Sequence, residues 1–247
     1  MCGPLLSKTP LVALTRELGA NDKVLALLDG VKCVELPCIA FSKGIDFDRL
    51  TSELKLHDAV VISSPQSASV LGEAWERAGR PKLAVASVGK GTTLALEKVG
   101  IPPIFEPSDA TAKVLAKELP AHLGPSVLYP TSNLAADTLQ DDLESRGFEV
   151  TRLETYTTQP SVWTTAELER AKAVDIVAFA SPSAVRSWAE RVGTDFMAVV
   201  IGPTSAKAAK ELSFKEVISP QNSKGLQAWA NLIRTTVESM GRDTRAA

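Results

Sequence analysis

Disulfide and thiolate chemistry have little material in this sequence. There are three cysteines, Cys2, Cys33 and Cys38, and no two of them form a CxxC pair. An odd count without that spacing speaks against a disulfide framework and against a zinc site, and points to a reducing compartment. His57 and His122 are the only histidines, and neither sits among residues that would complete a ligand set. Aromatic residues make up 5% of the chain, and Tyr129 and Tyr156 are its only tyrosines. No apolar run approaches the roughly 20 residues a membrane helix needs, so a soluble protein with no membrane partner is expected. The opening MCGPLLSKTP lacks a basic segment followed by an apolar one, so it does not read as a signal peptide. A basic excess is missing as well. Lys and Arg total 27 against 29 Asp and Glu, giving a formal charge of −2 and a pI near 5.8. Proteins that coat nucleic acid carry such an excess, so no nucleic-acid partner is expected. Formal charge does not count the partial positive charge of helix amino ends, so local anion sites remain open.

What is present is an ordinary globular balance, 45% hydrophobic over 247 residues. Short apolar runs alternate with amphipathic stretches. LVAL (11–14), KCVELP (32–37), AVVIS (59–63), LAVASVG (83–89), PSVLYP (125–130), FEVTRLETY (148–156), DIVAFAS (175–181), MAVVIGP (197–203) and EVIS (216–219) read as strands. Asp22–Leu28, Ala68–Ala78, Thr92–Val99, Thr111–Leu119, Leu134–Arg146, Ala184–Arg191, Thr204–Leu212 and Gly225–Glu238 read as helices. Several strands are almost wholly apolar, as strands buried on both faces are, so an α/β protein with parallel sheets is expected. The pattern also repeats. VVISSPQSASV (60–70) answers to IVAFASPSAVRSW (176–188), VASVGKGTTLALEKVG (85–100) to AVVIGPTSAKAAKEL (198–212), and FEPSDATAKVLAKEL (105–119) to ISPQNSKGLQAWANL (218–232). Residues 11–36 answer to 127–153, and the offset stays near 115 throughout. Two related halves are therefore expected. They can be consecutive, cut near residue 122, or crossed, with the first strand–helix unit joining the last three. Pro37–Asp46 and Thr155–Trp163 would then connect the domains; neither fits a helix, which favours the crossed form.

Each repeat shares one grammar: an apolar strand, a small polar turn, a helix. The turns are Thr15-Arg16, Ser63-Ser64-Pro65-Gln66-Ser67, Gly89-Lys90-Gly91-Thr92, Thr131-Ser132-Asn133, Ser181-Pro182-Ser183 and Gly202-Pro203-Thr204-Ser205. In open α/β sheets the carboxyl ends of the strands carry the ligand crevice, and helix amino ends there present N–H groups to carboxylate or phosphate. Six such turns facing one cleft would hold a large polyanion without a basic composition. Taken singly, each is equally a capping turn, since Ser and Thr are preferred caps and Pro is favoured in the first helical turn. Other motifs fail. A phosphate loop through Gly89-Lys90 would need Gly at Ala84 and a hydroxyl residue at Gly91. No GxGxxG follows the first strand, and no Gly-x-Ser-x-Gly elbow occurs. Asp141, Asp142, Glu167 and Glu169 read as solvated helix faces, and Trp75, Trp163, Trp188 and Trp229 as packing residues. Arg16 and Lys90 sit at strand-to-helix turns, where each either pairs with an anion or is simply solvated. Tyr129 and Tyr156 fall at strand ends. A tyrosine hydroxyl beside a cleft is a weak general acid, and packing is the other explanation for either.

The ordered set LTR (14–16), VVISSPQSA (60–68), VGKGTTLAL (88–96), GFEVTRLETYTT (147–158), FASPSAV (179–185) and IGPTSAKA (201–208) resembles the uroporphyrinogen-III synthase family, over about residues 10–235. TYTT and PSDATAKVLAKELP look like its plant and cyanobacterial branch. The resemblance implies two Rossmann- or flavodoxin-like parallel-sheet domains, internally duplicated and joined by a two-stranded linker. Domain 1 is then residues 1–37 plus 162–247, domain 2 is 46–154, and the linker strands are 38–45 and 155–161. The implied reaction is cyclisation of linear hydroxymethylbilane, with loss of water and inversion of the last ring, using no metal or cofactor. Positioning of a floppy polycarboxylate is the main demand of that reaction, with one weak acid assisting departure of water. Tyr156 matches the family's tyrosine and is expected to be that acid. Thr15, Arg16, Ser63, Ser64, Thr92, Ser181, Ser183, Thr204 and Ser205 match its ligand-facing turns, and Gln66, Lys90, Tyr129, Thr131 and Gly202 complete the expected substrate contacts. Gln66 and Ser63 depart from the pattern, standing where a basic residue and Thr occur in other members. A monomer is expected, with transfer of substrate from hydroxymethylbilane synthase, in the plastid stroma for a plant source or the cytoplasm for a bacterial one. The competing class is a two-domain module that closes on a small anion without reacting it. A nucleotide-sugar transferase is a third reading, but no acidic metal pair stands out for it.

Overall fold

The structure is a computed structural model that describes residues 9–221 and 225–246. Cys2 with the rest of the opening segment, and residues 222–224 of the last repeat, lie outside the described residues. In chain order the elements are β1 (Val12–Leu14), α1 (Asp22–Leu27), β2 (Cys33–Glu35), β3 (Ile39–Lys43), α2 (Phe47–Glu53), β4 (Ala59–Ile62), α3 (Pro65–Arg77), β5 (Val85–Ser87), α4 (Lys90–Lys98), α5 (Ala112–Glu118), β6 (Ser126–Ser132), α6 (Thr138–Glu144), β7 (Glu149–Pro160), α7 (Thr165–Lys172), β8 (Ile176–Phe179), α8 (Pro182–Val192), β9 (Met197–Val200), α9 (Pro203–Glu211), β10 (Glu216–Ile218) and α10 (Leu226–Ala246). The chain divides into two compact units. One comprises Met1–Ala40 and Gln159–Ala247, the other Phe41–Thr158.

In the first unit the sheet order is β10-β9-β8-β1-β2, and every adjacent pair is parallel. In the second the order is β3-β7-β6-β4-β5, with β7–β6, β6–β4 and β4–β5 parallel. Beyond β5, Phe105 bridges to Ala86 in parallel. Read from β2 and from β7 respectively, the two sheets place the paired sequence repeats at the same rank: 11–36 and 127–153 first, then 176–188 and 60–70, then 198–212 and 85–100.

The strands are apolar because both faces are covered. In β4, Val60 and Ile62 pack with Leu50, Leu71 and Leu96 from α2, α3 and α4, while Val61 faces Leu115 and Leu143 from α5 and α6. In the first unit Val12, Leu14, Ile176, Ala178 and Val199 pack with Val24 of α1 and with Trp229 and Ile233 of α10. Each such buried side chain contributes about 1.5–3 kcal/mol of transfer free energy. Trp188 and Trp229 are fully buried, the latter with its indole N–H donating to the Val199 carbonyl at 3.0 Å.

β3 falls within 38–45, a strand that the family resemblance implies and the apolar pattern does not show. Two helices fall where no helix is expected, α2 and α7. The first, at seven residues, is too short for a period to show. The second is fixed by a capping box between Thr164 and Glu167 more than by apolar spacing. The helix expected from Leu134 starts at Thr138 instead. Side chains claim the preceding backbone: Ser132 Oγ accepts from Leu134 N–H at 3.1 Å, and Arg152 donates to the Ala135 carbonyl at 2.8 Å. α10 runs past its expected end at Glu238 to Ala246.

Candidate functional site

Parallel neighbours end side by side, so the sheet order gathers the polar turns at one edge of each sheet. In the first unit β1, β8 and β9 are adjacent, which brings Thr15-Arg16, Ser181-Pro182-Ser183 and Gly202 to Ser205 to one carboxyl edge. In the second unit β7, β6, β4 and β5 do the same for Tyr156, Thr131, Ser63-Ser64 and Gly89 to Thr92.

Not every expected side chain is free there. Thr15 is fully buried and its hydroxyl donates to the Ala178 carbonyl at 2.7 Å, tying β1 to β8. Arg16 donates to the Ala20 carbonyl at 2.6 Å and lies 3.8 Å from Glu17, so its guanidinium is engaged within its own loop. Ser181 is the cap of α8, accepting from Ala184 N–H at 3.2 Å, and Ser183 follows half-buried in the first turn. Gly202 precedes α9 without any side-chain cap; Thr204 is exposed, and Ser205 is buried with no partner for its hydroxyl. In the second unit Lys90 is exposed at the start of α4, whose cap residue, Gly89, also offers no side chain. Thr92 is buried with its N–H donating to the Gly89 carbonyl at 2.9 Å. Gln66 is half-buried in the first turn of α3. Each unit therefore holds one serine-capped and one glycine-capped helix amino end, and the glycine-capped ends keep unshared N–H donors near the surface.

The two tyrosines are buried, Tyr129 at 3% and Tyr156 at 6% exposure, but neither hydroxyl is idle. Tyr156 Oη lies 2.9 Å from Ser64 Oγ, which also accepts from Ser67 N–H at 3.0 Å as the cap of α3. Tyr129 Oη lies 3.3 Å from Ser63 Oγ and accepts from Thr131 Oγ1 at 3.3 Å. The result is two sets of hydroxyls on β4, β6 and β7, Tyr129 with Ser63 and Thr131, and Tyr156 with Ser64, the second joined to the amino end of α3.

A break in register aims Tyr156. Along β6 and β7 the pairing proceeds to Thr131 with Glu154, then jumps to Ser132 with Tyr156. Thr155 is the extra residue, and its hydroxyl donates to the Thr131 carbonyl at 3.3 Å. In an unbroken strand residues three apart face opposite ways. Here Leu153 and Tyr156 share one core cluster, and Phe41 meets the tyrosine ring edge-on at 5.6 Å. Bulges of this kind re-aim side chains beside functional sites. Gly44 N–H donates to the Thr155 carbonyl at 3.0 Å, and a Cβ on Gly44 would come within 2.7 Å of Tyr156 N. Only glycine allows that approach.

Sequence reasoning named Ser67 only as part of its turn and missed Phe41 and Asn21. Ser67 is the third helical residue after Ser64, a spacing that signals a cap partner. Asn21 is fully buried after the β1 turn, with both amide atoms unpartnered; a lone Asn in LGAND carries no signal for that. Burial pushes the Cys33 thiol up to about 11 and the Cys38 thiol up to about 12, the nearby Arg191 opposing the rise for Cys38. Among the described residues no cluster of three His, Cys, Asp or Glu is placed to hold a metal ion. No helix of the described residues is long and apolar enough to cross a membrane.

Comparison with known proteins gives concordant results. A family model described as uroporphyrinogen-III synthase HemD matches residues 24–225. The chain is 39% identical to the chloroplastic uroporphyrinogen-III synthase of Oryza sativa subsp. japonica, over 96% of this chain and 84% of the rice protein. Its fold resembles a mutant uroporphyrinogen III synthase of Thermus thermophilus, at TM-score 0.65 and 20% identity over 93% of this chain and 99% of that one. It likewise resembles the uroporphyrinogen-III synthetase of Helicobacter pylori, at TM-score 0.65 and 15% identity over 92% and 99% of the two chains.

Proposed function

This chain belongs to the uroporphyrinogen-III synthase family, and from that membership we propose that it cyclises hydroxymethylbilane to uroporphyrinogen III, with loss of water and inversion of the last pyrrole ring. It is an enzyme, a lyase of tetrapyrrole synthesis.

The observation that carries the mechanistic reading is Tyr156 Oη, 2.9 Å from a serine that caps α3. The terminal hydroxyl of the substrate must leave as water, and a group must give it a proton. In this proposal Tyr156 is that acid. Loss of water leaves an azafulvene cation. The substituted α-carbon of the last ring attacks it, the spiro product fragments, and the chain recloses with that ring inverted. Reclosure releases the α-proton of that ring, which balances the proton given to the departing water and restores the tyrosine; the rest of the site acts by positioning. The α4 and α9 amino ends, capped only by Gly89 and Gly202, suit substrate carboxylates through backbone N–H. Ser63, Ser64, Gln66, Lys90, Thr92, Tyr129 and Thr131 in the second unit, and Ser181, Ser183, Thr204 and Ser205 in the first, are the proposed contacts beside them. Thr15 and Arg16 belong to the same set; their side chains are engaged within the fold, so any contact there uses backbone groups.

The same reading includes domain borders that leave 38–45 and 155–161 as linker strands, a monomer, transfer from hydroxymethylbilane synthase and, for a plant source, residence in the plastid stroma. The 39% identity to a chloroplastic rice enzyme supports the last of these. Freshly made hydroxymethylbilane incubated with the protein, with product isomers separated by chromatography, tests the reaction. Type III product is expected. Type I alone would overturn the assignment and leave an anion-binding module.

A further inference from the structure

A concavity lies in the first unit, apart from the polar turns of β1, β8 and β9. It has a volume of about 500 Å³ and is lined by Pro160, Val162, Trp163, Thr165, Leu168 and Arg191, among others. Arg191 stands near the carboxyl end of α8, whose amino end carries Ser181. Ten residues of helix separate the two, about 15 Å. The candidate catalytic residues take no part in it.

Its walls are apolar but its head is a cation. Trp163 is fixed, with its indole N–H donating to the Pro37 carbonyl at 2.6 Å and its ring edge-on to Trp188 at 5.6 Å. Arg191 is stacked on the Trp163 ring, Cζ 4.9 Å from the centroid. One terminal nitrogen donates to the Ser161 carbonyl, while Nη1 is buried with no hydrogen-bond partner. No ion pair joins it to an Asp or Glu among the described residues, and Glu167 of α7 is engaged in the Thr164 cap. A guanidinium that is partly buried and has one nitrogen without an acceptor is under-satisfied, and a carboxylate is the best partner for the cation. Val162, 96% exposed, extends the apolar wall at the rim. Cavities of roughly 300–1,000 Å³ with apolar walls and few polar groups are the usual form of small-molecule sites.

We propose that this pocket is a binding site, separate from the catalytic turns, for a small monocarboxylate with a flat apolar body. The carboxylate pairs with Arg191, and the body lies against Trp163, Val162 and Leu168.

The test uses 3-phenylpropionate and its uncharged counterpart 3-phenylpropan-1-ol, titrated into the full chain labelled with ¹⁵N at tryptophan, with the Trp163 indole signal assigned from Trp163→Phe. A saturable shift of that signal is expected, with the acid binding at least about tenfold more tightly than the alcohol. Arg191→Met keeps the stem over the ring but removes the charge, and should bring the two ligands to within about twofold. Equal binding in the unaltered protein, no saturable shift at Trp163, or a preference that survives Arg191→Met would each overturn the proposal. Leu168→Phe leaves the cation untouched and fills the cavity. It keeps the test decisive if Arg191→Met does not fold: the Trp163 shift should vanish, and its persistence would overturn the proposal.

Discussion

Replacing Tyr156 with Phe removes one oxygen and nothing else, and the structure says what that oxygen holds. The ring keeps its edge-on contact with Phe41 and its place in the core beside Leu153. Ser64 Oγ loses the tyrosine at 2.9 Å but still accepts from Ser67 N–H at 3.0 Å and lies 2.9 Å from Ser67 Oγ. No polar group is orphaned, so the stability cost is the net worth of one hydrogen bond, about 0.5–1.5 kcal/mol. Catalysis should suffer more. A positioned general acid contributes about 10²–10⁴-fold. The low side applies, because the departing water leaves a resonance-stabilised cation and positioning is unaffected. A fall in kcat of roughly tenfold to a thousandfold is expected, about 1.4–4 kcal/mol on the barrier. The assay is initial-rate formation of uroporphyrinogen III from fresh hydroxymethylbilane, beside a urea melt of the same preparation. A variant that melts near the unaltered protein yet keeps its rate would refute the role given to Tyr156.

Gly202 sits in extended backbone, where an added Cβ would meet no atom within 4 Å; Gly202→Val should therefore change stability by less than about 1 kcal/mol while weakening product binding in calorimetry, and unaltered affinity would remove the α9 turn from the site. Gly44→Ala should destabilise by about 3 kcal/mol or more, because the new Cβ meets the Glu154 carbonyl and Tyr156 N; a urea midpoint within error of the parent would refute the close approach. Folding raises the half-buried Cys33 thiol and the buried Cys38 thiol from 9.0, to about 11 and about 12. Raised folded values mean that the native state holds protons the unfolded state releases. Their stabilisation is thus complete below pH 9.0 and is lost as pH rises toward about 11–12, at up to about 1.4 kcal/mol per unit for each thiol. Urea melts across that range should fall more steeply for the parent than for Cys33→Ala/Cys38→Ala. In a Cys2→Ser/Cys33→Ala background, the buried Cys38 should resist Ellman's reagent at pH 8 until the chain unfolds.

Apolar runs such as AVVI and IVAF, each followed by a small polar turn and a helix, fixed the parallel α/β class, because strands covered on both faces can only be apolar throughout. The same runs located the turns, since Ser64 and Ser181 precede Pro at a helix start. A short element escaped: α2, seven residues long, is held by neighbours rather than by any period of its own. Side-chain status escaped as well. Thr15 and Arg16 read as ligand contacts, yet the fold spends one on Ala178 and the other on Ala20. Tyr156 shows the division most clearly. Its presence on a strand was written in LETYTT, although β7 runs on to Pro160 and leaves the tyrosine inside the strand. Its partnership with Ser64, 92 residues away in the chain, was not. That depends on β4 and β7 both pairing with β6 and on the extra residue Thr155, which turns the tyrosine onto the face of Leu153. Local pattern sets which residues lie on strands and at helix starts, because it follows from backbone geometry and burial. Strand order and register decide which of those residues meet, and they are set by packing over distances that no window of sequence contains.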